Sequence, residues 1–69
     1  MSNSKDETVK GIVIEALPNT MFRVDVNGTT ITAYLAGKMR FNRIKVMVGD
    51  NVELLLDPYG GKARVVKRL

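Results

Sequence analysis

Two β-rich runs, residues 21–26 and 29–35, are separated in this chain by the dipeptide Asn27-Gly28. Asn-Gly is the preferred two-residue loop of a β-hairpin, because both of its residues tolerate the positive φ of a type I′ turn. The dipeptide therefore predicts an antiparallel hairpin, and it constrains the fold more than any other feature of the sequence.

A two-residue loop also fixes the hairpin's register. Val24 is predicted to face Ile31, and Phe22 to face Ala33, on one apolar side. Tyr34 falls on the other, solvent-facing side, where it could stack a nucleic-acid base or cover a neighbouring side chain. One dry face and one wet face are typical of an antiparallel sheet.

Three further segments have strand-like composition, at residues 8–17, 51–56 and 63–69. Gly11 lies inside the first of them, where glycine often marks a bulge or bend, and such a bend would let this strand join two sheet surfaces. Residues 38–43 lack strand alternation and are predicted to form one or two helical turns, followed by extended chain over 44–48.

The predicted order is three strands, a short helical or irregular link, and two strands. This order predicts an all-β fold, a small five-stranded Greek-key barrel of the OB type. A five-stranded SH3-like barrel is the alternative, and the pattern alone barely separates the two. We expect residues 1–6 to be a flexible tail and residues 7–69 to form a single OB domain that binds RNA.

Composition excludes several functional classes. The chain has 69 residues with no Cys and no His, so disulfides, zinc fingers and His-dependent catalytic triads are excluded. No carboxylate pair suggests acid–base catalysis, so we expect neither an enzyme nor a cofactor. No signal peptide or apolar membrane span is visible, so we expect a cytoplasmic protein with no membrane partner.

Positive charge is concentrated in the second half of the chain. Residues 36–69 carry eight Lys and Arg against three Asp and Glu, whereas residues 1–35 have a net charge of −1. A basic half on a small protein indicates a polyanionic partner, most commonly nucleic acid. The densest cluster comprises Lys38, Arg40, Arg43 and Lys45, and a second comprises Lys62, Arg64, Lys67 and Arg68.

Two aromatic residues accompany these clusters. Phe41 lies among the first basic residues, where it could contact RNA or pack under the barrel. Tyr59 lies in the loop before the last strand, and in OB barrels this loop contacts ligands. Because the whole chain has only four aromatic residues, it lacks the stacking platforms of a general RNA chaperone.

Several motifs resemble one known family. The run Leu17-Pro18-Asn19-Thr20-Met21-Phe22-Arg23-Val24, then Asn27-Gly28, Thr32-Ala33, Gly37-Lys38-Met39-Arg40, Asn42, Ile44, Gly49-Asp50 and Pro58-Tyr59 resemble bacterial-type translation initiation factor one. The likeness extends from about Val9 to Arg68, and it implies a single OB barrel.

The resemblance also implies a role. Members of the family bind the small ribosomal subunit at the decoding A site, exclude tRNA there, and act with the two larger initiation factors. They contact ribosomal RNA and a neighbouring ribosomal protein. Lys38, Met39 and Arg40 match the family's contact segment, and Tyr59 and Arg64 match its last loop and final strand, which also face RNA.

The chain departs from the family pattern at two places. Phe41 and Arg43 stand where relatives usually have a basic or polar residue and an aromatic one, respectively. The loop at residues 60–63 is shorter than in relatives. The complete set of predicted RNA-binding residues is Lys38, Met39, Arg40, Phe41, Arg43, Lys45, Tyr59, Lys62, Arg64 and Arg68.

Three functions compete at this stage. The first is a ribosome-binding initiation factor that is a monomer when free. The second is a single-strand RNA chaperone of the cold-shock type, and the third is an SH3-like protein-interaction module without RNA. The low aromatic count disfavours the second, and the basic cluster and the family likeness disfavour the third.

Overall fold

The computed structural model describes residues 8–57, 59 and 62–69. The predicted N-terminal tail therefore lies outside the described residues, as do Pro58, Gly60 and Gly61 of the predicted last loop. The elements, in chain order, are β1 (Thr8–Leu17), β2 (Met21–Val26), β3 (Thr29–Leu35), α1 (Gly37–Phe41), β4 (Asn51–Leu55) and β5 (Ala63–Arg68).

The strands close into a barrel in the order β1-β2-β3-β5-β4. Neighbouring strands are antiparallel except for β3 and β5, which pair in parallel over three residues, from Ala33 with Ala63 to Leu35 with Val65. This order, with a short helix between the third and fourth strands, is that of an OB barrel. The predicted fold is confirmed over the described residues.

The hairpin prediction is confirmed residue by residue. Val24 pairs with Ile31 and Phe22 with Ala33, as the two-residue loop requires. Asn27 has a φ of 51°, and Gly28 has a φ of 87°. Both values are the positive φ that a type I′ turn demands.

β1 changes partners along its length. Its first half, up to Ile12, pairs with β4, and its second half, from Ile12 onward, pairs with β2. β1 therefore joins two sheet surfaces. The irregularity in its pairing lies between Val13 and Glu15, however, and not at Gly11.

Gly11 instead marks a close approach between strands. A Cβ atom there would lie 2.6 Å from Val24 Cγ1 and 2.7 Å from the carbonyl oxygen of Asp25. Only a residue without a side chain allows β1 to run this close to β2.

The core is aliphatic, with one Phe and one Met. Its buried residues come from every strand, from α1 and the N-cap residue before it, and from the segment before β4. They are Val13, Phe22, Val24, Val26, Ala33, Leu35, Ala36, Met39, Val46, Val52, Leu54, Ala63 and Val65.

In the segment between α1 and β4, the alternation of apolar and polar residues does not match the pattern of burial. Of Ile44, Val46 and Val48, which alternate in sequence, only Val46 is buried. The chain then turns at residues 47–50, where the Met47 N–H donates to Asp50 Oδ2 at 2.8 Å. Across residues 8–57, 59 and 62–69, no helix has the length and hydropathy needed to cross a bilayer.

Candidate nucleic-acid interface

Helix α1 presents the first basic cluster. The Ala36 N–H before the helix donates to the Val65 carbonyl of β5 at 2.9 Å, which fixes the start of the helix against the barrel. Met39 points inward and is 1 % exposed. Because one side of this short helix is anchored in the core, Lys38 and Arg40 extend into solvent.

The structure corrects the prediction for Met39. The family likeness implied that this residue contacts RNA, but its side chain is among the largest fully buried ones in the barrel. Methionine fills irregular gaps in a core well, because its side chain is unbranched and flexible. Met39 therefore holds α1 in place, and its exposed neighbours are the residues available to a ligand.

The helix ends at Phe41, and the chain turns away from it at Arg43, just after the C-cap Asn42. Arg43 has a φ of 56°, and its N–H donates to the Arg40 carbonyl at 3.1 Å. A left-handed residue just after the C-cap ends many helices, although glycine is the usual occupant. The turn leaves Arg43 and Lys45 exposed in the chain just after Phe41, a residue that is 87 % exposed.

A hydrogen bond joins the two basic clusters. Arg68 Nη1 donates to the Lys45 carbonyl oxygen at 3.1 Å, although 23 positions separate the two residues in the chain. The end of β5 therefore lies against the segment that follows α1. The sequence showed two separate clusters, and the fold connects them through this contact.

Tyr34 has a cationic neighbour that sequence reasoning missed. Arg23 lies on the same wet face of the hairpin as Tyr34, but its Nη1 lies 3.2 Å from Glu15 Oε1 in an exposed ion pair. The register of the parallel β3–β5 pair instead sets Arg64 beside Tyr34. Parallel pairing between distant strands leaves no local sequence signal, so only the closed barrel shows this contact.

Tyr34 and Arg64 border a cavity of about 180 Å³ at this end of the barrel. The residues that line it are Tyr34, Leu55, Leu56, Asp57, Lys62 and Arg64. Its wall combines an aromatic ring, aliphatic side chains, two cations and one carboxylate, so a base could stack on the ring while the cations face a phosphate.

Tyr59 lies beyond this cavity and is 93 % exposed. Its N–H donates to Asp57 Oδ1 at 2.9 Å, a local turn contact that holds the backbone and leaves the ring free to contact a ligand. Lys62, at the other end of the same loop, is also exposed. The shortened part of the loop, at Gly60 and Gly61, lies outside the described residues.

A closed OB barrel with clustered Lys and Arg on its surface has the features of a small nucleic-acid-binding protein. The family model "Translation initiation factor 1A / IF-1" matches residues 1–69, and the chain belongs to this family. The resemblance found in the sequence is thereby confirmed. The chain is a translation initiation factor by family, and this family consists of non-enzymatic translation factors with a role at the ribosome.

Solved structures support the same assignment. The solution structure of translation initiation factor one from the Wolbachia endosymbiont strain TRS of Brugia malayi aligns with a TM-score of 0.78 and 30 % identity. The alignment covers 96 % of this chain and 80 % of that protein.

Two larger proteins contain a similar barrel. YjeQ from Thermotoga maritima aligns with a TM-score of 0.74 and 31 % identity over 91 % of this chain, and YloQ, a circularly permuted GTPase, aligns with a TM-score of 0.78 and 19 % identity over the whole chain. This chain spans only 23 % of YjeQ and 25 % of YloQ. The likeness to YloQ shows a shared fold alone.

Proposed function

We propose that this factor binds the small ribosomal subunit at the decoding A site, through ribosomal RNA, and blocks the entry of tRNA there. The proposal extends the family assignment to a specific site and action. It includes cooperation with the two larger initiation factors and contact with a neighbouring ribosomal protein, as the family likeness implies. It involves no catalytic step.

The contact between Arg68 and the Lys45 carbonyl is the observation that carries the proposal. It connects the basic segment after α1 with the end of β5, so that positive charge from both clusters can act on one RNA. Lys and Arg residues that neutralise phosphates release condensed counterions, and this release supplies much of the affinity of such a surface.

The proposed RNA-binding residues are the exposed members of the two clusters and the aromatic residues beside them. They are Lys38, Arg40, Phe41, Arg43, Lys45, Tyr59, Lys62, Arg64 and Arg68. With so few aromatic platforms, binding depends mainly on charge and on shape. Such binding favours a preformed groove in folded RNA over a flexible single strand.

Sedimentation with purified ribosomal subunits tests the proposal. We expect the factor to bind the small subunit and not the large one. If about five Lys and Arg residues contact phosphates, log affinity should fall against log salt with a slope of about −3.5 to −4.5. Equal binding to both subunits, or a slope near zero, would contradict the proposal.

A competition assay tests the proposed action. Added factor should exclude tRNA from the decoding site of small subunits at physiological salt. Unstructured RNA oligomers should bind only in the non-specific range, with a Kd of about 10⁻⁴–10⁻⁶ M. Tight oligomer binding without tRNA exclusion would instead favour a single-strand RNA chaperone.

We further propose that the free factor is a cytoplasmic monomer.

A further inference from the structure

Phe41 is the most exposed apolar residue of α1 and of the segment that follows it. It is 87 % exposed, whereas Ile44 is 38 % exposed and Val46 is buried. Among the large apolar residues that the structure describes, only Tyr59 is more exposed. The ring of Phe41 therefore contributes little to the core of the barrel.

The geometry of α1 directs Phe41 away from the barrel. Successive residues of an α-helix lie about 100° apart around its axis, so residues two positions apart point in nearly opposite directions. Met39 is 1 % exposed and anchors the helix in the core. Phe41 follows it by two positions, so the contact that fixes the helix also directs the ring into solvent.

Backbone hydrogen bonds hold this part of the chain in place. The Asn42 N–H donates to the Lys38 carbonyl at 3.0 Å, and the Ile44 N–H donates to the Met39 carbonyl at 3.0 Å. An aromatic side chain has only two rotatable bonds, so little conformational freedom is lost when a ligand covers the ring. Position 41 therefore presents an aromatic face that is already oriented for binding.

The surroundings of Phe41 in the chain are cationic. Residues 29–48 include no acidic residue, and Lys38 and Arg40 are both exposed. Lys38 precedes Phe41 by three positions, so the two side chains lie on the same side of the helix. A partner that covers the ring must therefore also accept positive charge.

RNA offers both contacts at the same place. The face of a base stacks on an aromatic ring, and the phosphates beside that base attract cations. A second copy of the chain placed symmetrically here would bring two cationic segments together, which opposes association. An apolar protein pocket would cover the ring but leave the neighbouring cations without partners.

We infer that Phe41 is a stacking platform for an unpaired base of the small-subunit ribosomal RNA, while Lys38 and Arg40 contact the phosphates beside that base. The inference rests on the proposed function and deepens it, because it assigns one residue of the basic surface to a base and not to phosphates. Stacking supplies a part of the affinity that salt does not screen.

A neutral substitution separates stacking from charge. Phe41→Ala should lower the affinity for intact small subunits about 5- to 150-fold, the range typical of one stacked base. The slope of log affinity against log salt should keep its parent value, because no charge is altered. The thermal melt should stay close to that of the parent, since the ring is exposed.

Lys38→Gln is the matched control on the same side of the helix. It removes one positive charge and keeps the aromatic ring. We expect it to make the salt slope shallower by about 0.7–0.9, in contrast to Phe41→Ala.

A fluorescent side chain at position 41 tests which kind of partner covers it. The chain has no Trp, so Phe41→Trp introduces a single indole, which should stack as well as the parent ring and preserve the affinity. Supplied as 5-hydroxytryptophan, the indole can be excited selectively in the presence of ribosomal tryptophans. Stacking on a base should quench its emission when the small subunit binds, whereas an apolar protein pocket should leave it unquenched. Val48→Trp, labelled in the same way, is the control for an exposed position outside the proposed RNA-binding residues and should show no quenching.

The outcomes distinguish the inference from the proposed function. If the unsubstituted factor fails to bind small subunits, the proposed function is wrong, and the inference fails with it. If it binds, the inference alone is wrong when Phe41→Ala binds equally well, when Phe41→Trp binds as weakly as Phe41→Ala, or when the bound indole is not quenched. A shallower salt slope for Phe41→Ala would also contradict the inference, because the loss would then come from the neighbouring cations.

Discussion

The guanidinium carbon of Arg64 lies 5.8 Å from the centroid of the Tyr34 ring, and Arg64 Nη2 lies 3.5 Å from the Tyr34 hydroxyl oxygen. The geometry fits a cation–π contact better than a hydrogen bond, because 3.5 Å is long for a nitrogen–oxygen pair. The ring therefore orients a cation at the rim of the cavity that Tyr34 and Arg64 border.

Substitutions at Tyr34 test which part of its side chain matters. Tyr34→Phe keeps the ring and should leave both stability and RNA affinity close to those of the parent. Tyr34→Leu removes the ring and should reduce the free energy of unfolding by about 0.5–1 kcal/mol through loss of the cation–π contact. Urea denaturation measures both variants. If Tyr34→Phe and Tyr34→Leu lost the same free energy of unfolding, the hydroxyl group and not the ring would make the stabilising contact.

Two substitutions of glycine by alanine test the close approach of β1 and β2. Gly11→Ala places a methyl group within 3 Å of Val24 and of the Asp25 backbone, so it should destabilise the fold by about 1–3 kcal/mol or more. Gly37→Ala is the control, because no atom outside its own neighbourhood lies within 4 Å of the added Cβ.

The control should change stability in the opposite direction. Gly37 is the first residue of α1, and alanine is favoured over glycine in helices by up to about 1 kcal/mol. Thermal melts of the two variants should move to opposite sides of the parent protein. A stable Gly11→Ala variant would mean that the two strands can separate without loss.

Substitutions at the adjacent residues Met39 and Arg40 of α1 should affect stability differently. Met39→Ala removes a buried side chain and should lower the free energy of unfolding by about 2–5 kcal/mol. Arg40→Ala should leave the melt unchanged, since its side chain is exposed. If Met39→Ala proved as stable as Arg40→Ala, α1 would not be anchored through the core.

Charge reversal should separate binding from folding. Arg40→Asp should abolish binding to the small subunit with no change in the thermal melt, because the new carboxylate would repel RNA phosphates. Lys67→Asp is the matched control on β5 and should weaken binding less. A much earlier melt for Arg40→Asp would assign Arg40 a structural role.

The β2–β3 hairpin could be predicted because its information is local. Asn27 and Gly28 fix the turn, and the turn fixes every residue pair between the two strands, up to the pair of Met21 with Tyr34.

β4 and β5 each end one residue earlier than predicted, at Leu55 and Arg68. The ends of strands are the least reliable part of a prediction from sequence.

The role of Gly11 required the assembled barrel. Glycine in a strand signals either a bulge or a close approach, and only the position of β2 decides between them. The inward direction of Met39 likewise depends on where α1 meets the barrel. The likeness to the family marked its segment as a contact region, but such a likeness does not distinguish the residues that anchor a segment from those it exposes.

Two contacts within the candidate interface could not be predicted from the sequence. Arg64 reaches Tyr34 through parallel pairing, and Arg68 reaches Lys45 across the end of the barrel. Each contact joins residues that are far apart in the chain, and periodicity carries no information about such pairs.

The parallel pairing that joins Ala33 to Ala63 also sets the order in which the barrel can form. A hairpin with a two-residue turn assembles in about 1–10 μs, whereas pairings between distant segments form later, because they require a large loss of chain entropy. We therefore expect β1–β2–β3 and β4–β5 to form as separate antiparallel units, and the pairs that join them, β3 with β5 and β1 with β4, to form last. A nascent chain would keep unpaired edges on β1 and β3 until β4 and β5 have left the exit tunnel.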